Sequence, residues 1–131
     1  MNQPAASDEA LHELQRATFG YFLKETNPAN GLVPDNTRIG VPCSIAAVGL
    51  ALAAYAVGAE REFVTRADAA ERTLTTLRFF WNSPQSKEAD ITGYEGFYYH
   101  FLDMQTGRRA WSSVTRLETG DRLSPVPLGR S

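Results

Sequence analysis

The sequence predicts a mainly α-helical domain, in which three helices are followed by an inserted β-hairpin and an irregular C-terminal tail. Three segments repeat apolar residues at helical spacing, and one later segment is rich in β-forming residues. All 14 aromatic residues lie between Phe19 and Trp111, whereas residues 112–131 contain none. We therefore expect residues 1–111 to form the folded part and residues 112–131 to be irregular or disordered.

The first helix is predicted over residues 8–24. Ser7 can cap it, and two acidic residues follow in the first turn, where they favour a helix N-terminus. Apolar residues then recur at helical spacing. Prolines and glycine in residues 27–35 end this helix and open a loop of about 16 residues that reaches Pro42, which is longer than a simple connection needs.

The second helix is predicted over residues 44–57, with Gly58 as its C-terminal glycine. Residues 45–59 contain no charged side chain and extend over about 22 Å as a helix, which is too short to cross a bilayer comfortably. Apolar residues on every face predict a helix that is buried all round. A small isolated domain rarely provides such burial.

The third helix begins after Thr65, which we expect to cap it, with Asp68 three residues later. This helix is amphipathic, because its apolar residues alternate with several arginines. An apolar second helix and an amphipathic third helix suggest an inner and an outer helical layer.

The hairpin is predicted as a strand over residues 97–103, a turn over 104–107 and a return strand over 108–111. Alternation along the strand would place Tyr98 and His100 on one face and Tyr99, Phe101 and Asp103 on the other. One face would then belong to the core and the other to a site.

Composition argues against several classes of partner. The net charge of −2 and the isoelectric point of about 5.7 give no basic surface for nucleic acid or anionic membranes. No nucleotide-binding or metal-binding motif is present, so we expect neither cofactor nor metal, and the lone Cys43 is expected to be a small core residue. No signal peptide is visible, which predicts a cytoplasmic location for the sequence as written.

The aromatic segment 93–103 has the composition that a carbohydrate site needs. Aromatic rings pack on sugar faces, while carboxylate, guanidinium and imidazole groups bind hydroxyls. We expect Asp103 to be the catalytic residue. The predicted substrate-binding residues are Asp35, Tyr98, His100, Arg108 and Trp111. The alternative is that the aromatic side chains only seal the helical layer and that the carboxylates are solvated or shape turns.

Four segments, taken in order, resemble the bacterial glucoamylase-like family that includes endo-β-1,2-glucanases: residues 26–35, 44–49, 65–74 and 96–103. This resemblance implies an (α/α)6 toroid of alternating inner and outer helices, with β-glucan as the substrate and hydrolysis without a metal. It also implies that full-length relatives can be exported or periplasmic. The second helix would then be an inner helix and the third an outer one.

The sequence departs from the family pattern at two places. Asn36 stands where members commonly have arginine, and Ser112 begins a segment that lacks the acidic motif usually found after the hairpin tryptophan. We therefore interpret the chain as the N-terminal part of a toroid whose reading frame shifts near Ser112. Three hypotheses follow, namely an inactive glycoside hydrolase fragment, a non-catalytic carbohydrate-binding remnant, and a small helical interaction module whose apolar second helix docks a partner chain. In such a fragment the second helix would be exposed, and self-association through it is a further expectation.

Overall fold

The computed structural model describes residues 4–111, 117–118 and 123–124, with side chains from Ser7 to Trp111. Three helices dominate these residues, and the remaining elements are short strands, so the predicted mainly α-helical class is confirmed. The helices are α1 (Pro4–Glu25), α2 (Ile45–Glu60) and α3 (Arg66–Asn82). The strands are β1 (Cys43–Ser44), β2 (Gly93–Tyr94), β3 (Phe97–Tyr99), β4 (Phe101–Leu102), β5 (Leu117–Glu118) and β6 (Leu123–Ser124). None of the helices in this part of the chain is both long and apolar enough to span a membrane.

Gly58 has a different role from the one predicted. It lies inside α2, which continues to Glu60, rather than ending the helix. A Cβ atom at this position would approach the ring of Phe19 to 2.3 Å. Gly58 therefore allows the aromatic ring of α1 to pack directly against the backbone of α2.

The two sides of α2 differ in exposure. Val48, Ala51 and Tyr55 are buried, whereas Leu50 is 65% exposed and Val57 is 52% exposed. The expectation that this helix is buried all round is therefore wrong for the described chain. One apolar face packs against the core and the other meets solvent.

The N-terminus of α3 is formed as predicted. The Thr65 hydroxyl oxygen accepts a hydrogen bond from the backbone N–H of Asp68 at 3.1 Å, which satisfies one of the free donors of the first turn. Ala69 and Thr76 face the core, while Leu77 is exposed.

The predicted strand over residues 97–103 is broken at His100. Strand β3 pairs with β2 through a tight turn at Glu95 and Gly96, which both have positive φ, whereas β4 pairs with the distant β1. The carbonyl oxygen of His100 accepts a hydrogen bond from the backbone N–H of Ile45 at 3.0 Å. The return strand over residues 108–111 is reduced to a single bridge between Arg109 and Leu102.

The break also changes the predicted alternation of side chains. Tyr99 and Leu102 are both fully buried although they are three residues apart, and His100 and Phe101 between them are half-buried. The core lies where α2, α3, the loop after α1 and these strands meet. Its largest fully buried side chains are Tyr55, Tyr99, Leu32, Leu102, Val33, Thr76, Thr92 and Cys43. Burial raises the pKa of the Cys43 thiol to about 12, so this cysteine behaves as an apolar core residue.

Two short segments of the C-terminal tail form strands. Strand β5 pairs with β3, and β6 pairs with β5, which extends the β2–β3 hairpin to four strands. The sequence did not predict these pairings. The other residues of 112–131 lie outside the described residues, and both the irregular tail and the shifted reading frame stay predictions for them.

Candidate functional site

Four chain segments form an antiparallel ladder beside the N-terminus of α2, which we call the central ladder. It consists of residues 33–35, 42–44, 101–103 and 108–110. Bridges join Pro34 to Cys43, Cys43 to Leu102, and Leu102 to Arg109. Each bridge also sets which residues on either side of it lie opposite one another. Residues that are far apart in sequence therefore lie side by side across the four segments, and we call each such set a row.

One row of the central ladder contains three of the predicted site residues. The N–H of Asp35 donates to the carbonyl oxygen of Pro42 at 2.9 Å, and the N–H of Asp103 donates to that of Arg108 at 2.7 Å. Since Cys43 faces Leu102, Pro42 stands between Asp35 and Asp103. The two aspartates are therefore two strand spacings apart, about 10 Å between Cα atoms.

The Asp103 carboxylate organises the turn that follows it. Its Oδ1 accepts hydrogen bonds from the backbone N–H groups of Gln105 and Thr106 and from the Thr106 hydroxyl, at 2.7 to 3.0 Å. These bonds, above all the one from the Thr106 backbone, lower the pKa of Asp103 below its ordinary value. The group is thus held ionised, a state suited to a base, a nucleophile or an electrostatic stabiliser rather than to a general acid.

The same turn is fixed from two other directions. The side-chain amides of Asn27 and Asn30 both donate to the carbonyl oxygen of Met104, at 2.9 and 3.0 Å. The Arg108 guanidinium pairs with the Asp90 carboxylate at 3.0 Å on an exposed surface. Each of these contacts supports the turn itself, so a structural role is enough to explain them.

Three rings form what we call the aromatic row, namely His100, Phe101 and Trp111. The centroids of His100 and Phe101 lie 4.4 Å apart, and those of Phe101 and Trp111 lie 5.3 Å apart. The N–H of Ala110 donates to the carbonyl oxygen of Phe101 at 2.9 Å, which brings Trp111 to this end of the ladder. Trp111 has a φ of 48° and is 57% exposed, so a large aromatic surface faces solvent.

Ser44 joins the aromatic row to α2. Its Oγ lies 3.4 Å from Nε2 of His100, and in the described chain its side chain makes no capping bond to the helix. The first turn of α2, in which the N–H of Ile45 donates to the carbonyl oxygen of His100, therefore lies close to the aromatic row. Sequence reasoning missed both Ser44 and Phe101 as site residues. No charged residue or capping pattern around Ser44 indicated a role in a site. Phe101 belongs to the aromatic segment 93–103, but it was not among the predicted binding residues.

Tyr98 is separated from the other predicted residues. Its hydroxyl donates to the carbonyl oxygen of Phe80 at 2.9 Å, and the two rings pack edge to face with centroids 4.8 Å apart. These contacts attach β3 to the end of α3. Asp35, Asp103 and Arg108 therefore share one row of the central ladder, and His100 and Trp111 directly adjoin two of its segments, while Tyr98 packs between elements of the scaffold.

The chain is similar in sequence to one curated enzyme. It is 31% identical over 107 residues to a protein of Parabacteroides distasonis named exo β-1,2-glucooligosaccharide sophorohydrolase (non-reducing end). The match covers 80% of this chain and 14% of the relative. The chain therefore corresponds to a small part of that enzyme. No protein-family model matches the sequence.

Two solved structures share the fold. A proposed glucoamylase from Bacteroides uniformis superposes with a TM-score of 0.65 and 33% identity, over 76% of this chain and 23% of that one. A proposed glucoamylase from Bacteroides fragilis gives a TM-score of 0.58 and 24% identity, over 76% of this chain and 24% of that one, and supports the fold alone. These comparisons confirm the predicted resemblance: over about three-quarters of its length, this chain is related to part of the glucoamylase-like (α/α)6 proteins.

Proposed function

We propose that the chain carries part of the sugar-binding cleft of a glycoside hydrolase that acts on β-1,2-linked glucans. The observation that supports this proposal most strongly is the exposed ring of Trp111, which continues the aromatic row at the N-terminus of α2. A sugar ring packs well on such a surface, because its axial C–H groups are apolar. The related sophorohydrolase, by its name, acts on glucooligosaccharides of this linkage.

Polar groups around the aromatic row supply the complementary contacts. The half-buried His100 can exchange hydrogen bonds with sugar hydroxyl groups, and the Oγ of the buried Ser44 lies 3.4 Å from its Nε2. Asp35 lies on an exposed part of the ladder and offers carboxylate acceptors. Arg108 binds a hydroxyl only if its surface ion pair with Asp90 opens, and such pairs contribute little to stability.

Catalysis by this chain would need two carboxyl groups on either side of the scissile bond. Asp103 is our candidate for the ionised partner, since its hydrogen bonds lower its pKa. Asp35, about 10 Å away at the Cα atoms, is the carboxylate of the same row. We propose that the chain alone is inactive, because it corresponds to only 14% of the related enzyme.

Incubation with linear β-1,2-glucan, followed by separation of the products and a parallel binding measurement, tests this proposal. We expect saturable binding without release of sugar. Release of sugar would show that the chain is a complete catalyst and would contradict the proposed inactivity. Absence of both binding and cleavage would overturn the carbohydrate function and leave the helical interaction module.

A second candidate function is self-association, in which another copy of this chain is the partner. The specific observation that favours it is the exposed apolar face of α2, with Leu50 65% exposed and Val57 52% exposed. Water-exposed apolar surface of this kind favours association.

A further inference from the structure

The proline before Asp35 lies at the edge of the central ladder. In the described part of the chain, residues 33–35 are the outer segment of the ladder, and Pro34 bridges them to Cys43. Hydrogen bonds between the two segments flank this bridge, at 2.9 Å from the Asp35 N–H and at 3.2 Å from the Ser44 N–H. In an antiparallel ladder this pattern turns the carbonyl group of Pro34 away from its partner segment. Since Pro34 is buried, this carbonyl needs a donor from another part of the chain.

Tyr21 of α1 supplies that donor. Its hydroxyl donates to the carbonyl oxygen of Pro34. Burial raises the pKa of the Tyr21 phenol, and the negative charges of Glu25 and Asp35 raise it further. The phenol therefore keeps its proton at neutral pH and remains a donor. Because proline has no N–H, the carbonyl is the polar backbone group of Pro34, and Tyr21 satisfies it.

The carbonyl of Pro34 and the N–H of Asp35 belong to the same peptide group. This group is planar, and its oxygen and its N–H point in opposite directions. Tyr21 binds the oxygen, and the carbonyl of Pro42 accepts the N–H at 2.9 Å, so the peptide plane is fixed from both sides. The orientation of this plane sets the direction in which the chain enters Asp35 and restricts where the Asp35 side chain can point.

Asp35 is the first exposed residue after a buried segment. Residues 31–34 are buried, whereas residues 35–40 are exposed. The Asp35 carboxylate accepts a hydrogen bond from the exposed Asn36 amide at 3.4 Å, which is long for such a bond and can be replaced by a sugar hydroxyl. The peptide group that Tyr21 holds is therefore the junction between the buried segment and this carboxylate.

We propose that Tyr21 is a positioning residue for Asp35: its hydrogen bond to the Pro34 carbonyl holds the Asp35 carboxylate in the orientation that accepts hydroxyl groups of a β-1,2-linked glucan. This inference rests on the proposed sugar-binding function and adds to it a residue that does not itself contact the sugar. Positioning of this kind strengthens binding, because the segment loses less conformational freedom when the ligand binds. Tyr21 contributes to binding through Asp35 alone, which distinguishes it from a residue that supports the fold in general.

A double-mutant cycle with Tyr21→Phe and Asp35→Ala tests the proposal, with the binding of linear β-1,2-glucooligosaccharides measured by calorimetric titration. We expect Asp35→Ala to weaken binding about tenfold and Tyr21→Phe to weaken it about threefold. The double variant should bind like Asp35→Ala alone, because no carboxylate is left for the hydroxyl to position. Tyr21→Phe keeps the ring and its packing against Phe22, whose centroid lies 5.6 Å away.

Tyr55→Phe is the matched control. It removes one tyrosine hydroxyl in the same way, but that hydroxyl donates to the Thr26 side chain at 3.4 Å and not to a segment of the central ladder. We expect Tyr55→Phe to bind the oligosaccharides with the affinity of the wild-type chain. Urea denaturation of both variants separates a loss of stability, which either substitution can cause, from the loss of affinity expected for Tyr21→Phe.

The outcomes distinguish the role of Tyr21 from the function on which it rests. A wild-type chain that does not bind the oligosaccharides would overturn both. If the wild-type chain binds them and either Asp35→Ala or Tyr21→Phe binds equally well, the sugar site stands and the positioning role is wrong. A double variant that binds more weakly than Asp35→Ala alone would show that Tyr21 acts independently of Asp35. That result would overturn the proposal, as would a Tyr21→Phe variant that does not fold.

Discussion

The turn at Asp103 and the aromatic row are neighbours in sequence, yet they use their side chains in opposite ways. In the turn, the polar groups already have partners: Asp103 accepts three hydrogen bonds through one oxygen, and Arg108 pairs with Asp90. In the aromatic row, Trp111 exposes more than half of its surface. The comparison indicates that the turn builds the scaffold, while the aromatic row offers the surface that a ligand can cover.

Removal of a fully buried core residue has the largest expected effect. Tyr99 is 1% exposed, and its ring lies 4.3 Å from the Arg109 guanidinium carbon. Tyr99→Ala should lower the free energy of unfolding by about 3 to 5 kcal/mol, because it leaves a large cavity. Urea denaturation followed by circular dichroism measures this loss. Tyr98→Phe, which removes only a hydroxyl bond to Phe80, is the control and should cost about 1 kcal/mol.

Truncation of the exposed Trp111 ring should weaken sugar binding with little change in the stability of the fold. Trp111→Ala is expected to weaken binding of β-1,2-glucooligosaccharides about tenfold or more, because the stacking surface is lost. The free energy of unfolding should change by no more than about 0.5 kcal/mol, since the side chain is 57% exposed. Calorimetric titration and denaturation of the same preparation check both values. Unchanged affinity would remove the aromatic row from the site.

Substitution of Asp103, unlike that of Trp111, should mainly lower the stability of the fold. Asp103→Ala deletes the acceptor of the turn and is expected to cost about 1 kcal/mol of stability, as the loss of a helix cap does. Asp103→Asn retains an acceptor oxygen and should cost less. Because the folded state lowers the pKa of Asp103, its ionised form stabilises the fold above the unfolded pKa of about 3.9. The difference between wild type and Asp103→Asn should therefore shrink as the pH falls through the folded pKa, and a difference that grows in acid would contradict this account.

The smallest effect is expected for the surface ion pair of the turn. Arg108→Ala should lower the free energy of unfolding by less than about 1 kcal/mol, because the Arg108 and Asp90 side chains are both largely exposed. The loss should decrease further at high salt. Denaturation in low and high salt measures it, and a loss as large as that of Tyr99→Ala would show that the turn is not the exposed scaffold described above.

The sequence predicted the features that depend on local patterns. The three helices, the Thr65 cap and the long loop after α1 follow from periodicity and from capping and turn residues, and the structure confirms them. The break at His100 was not predictable in this way. It results from pairing with β1, more than 50 residues away, and strand formers in the segment gave no sign of that partner.

The candidate site shows the same division between local and long-range information. Asp35, His100 and Trp111 were predicted as site residues from the chemistry of their side chains. Their relation to one another depends on the bridges of the central ladder, which join segments from four parts of the chain. Ser44 was missed because its partner, His100, lies on another of these segments.

Tryptophan fluorescence offers the most direct test of the proposed sugar surface. The chain has two tryptophans, and Trp81, which is 88% exposed, belongs to α3 and not to the central ladder. In a Trp81→Phe variant the emission comes from Trp111 alone. Titration with linear β-1,2-glucooligosaccharides should then produce a saturable change in emission, while Trp111→Phe, which reports on Trp81, should show none. An emission of Trp111 that does not respond to the oligosaccharides at millimolar concentration would contradict the account.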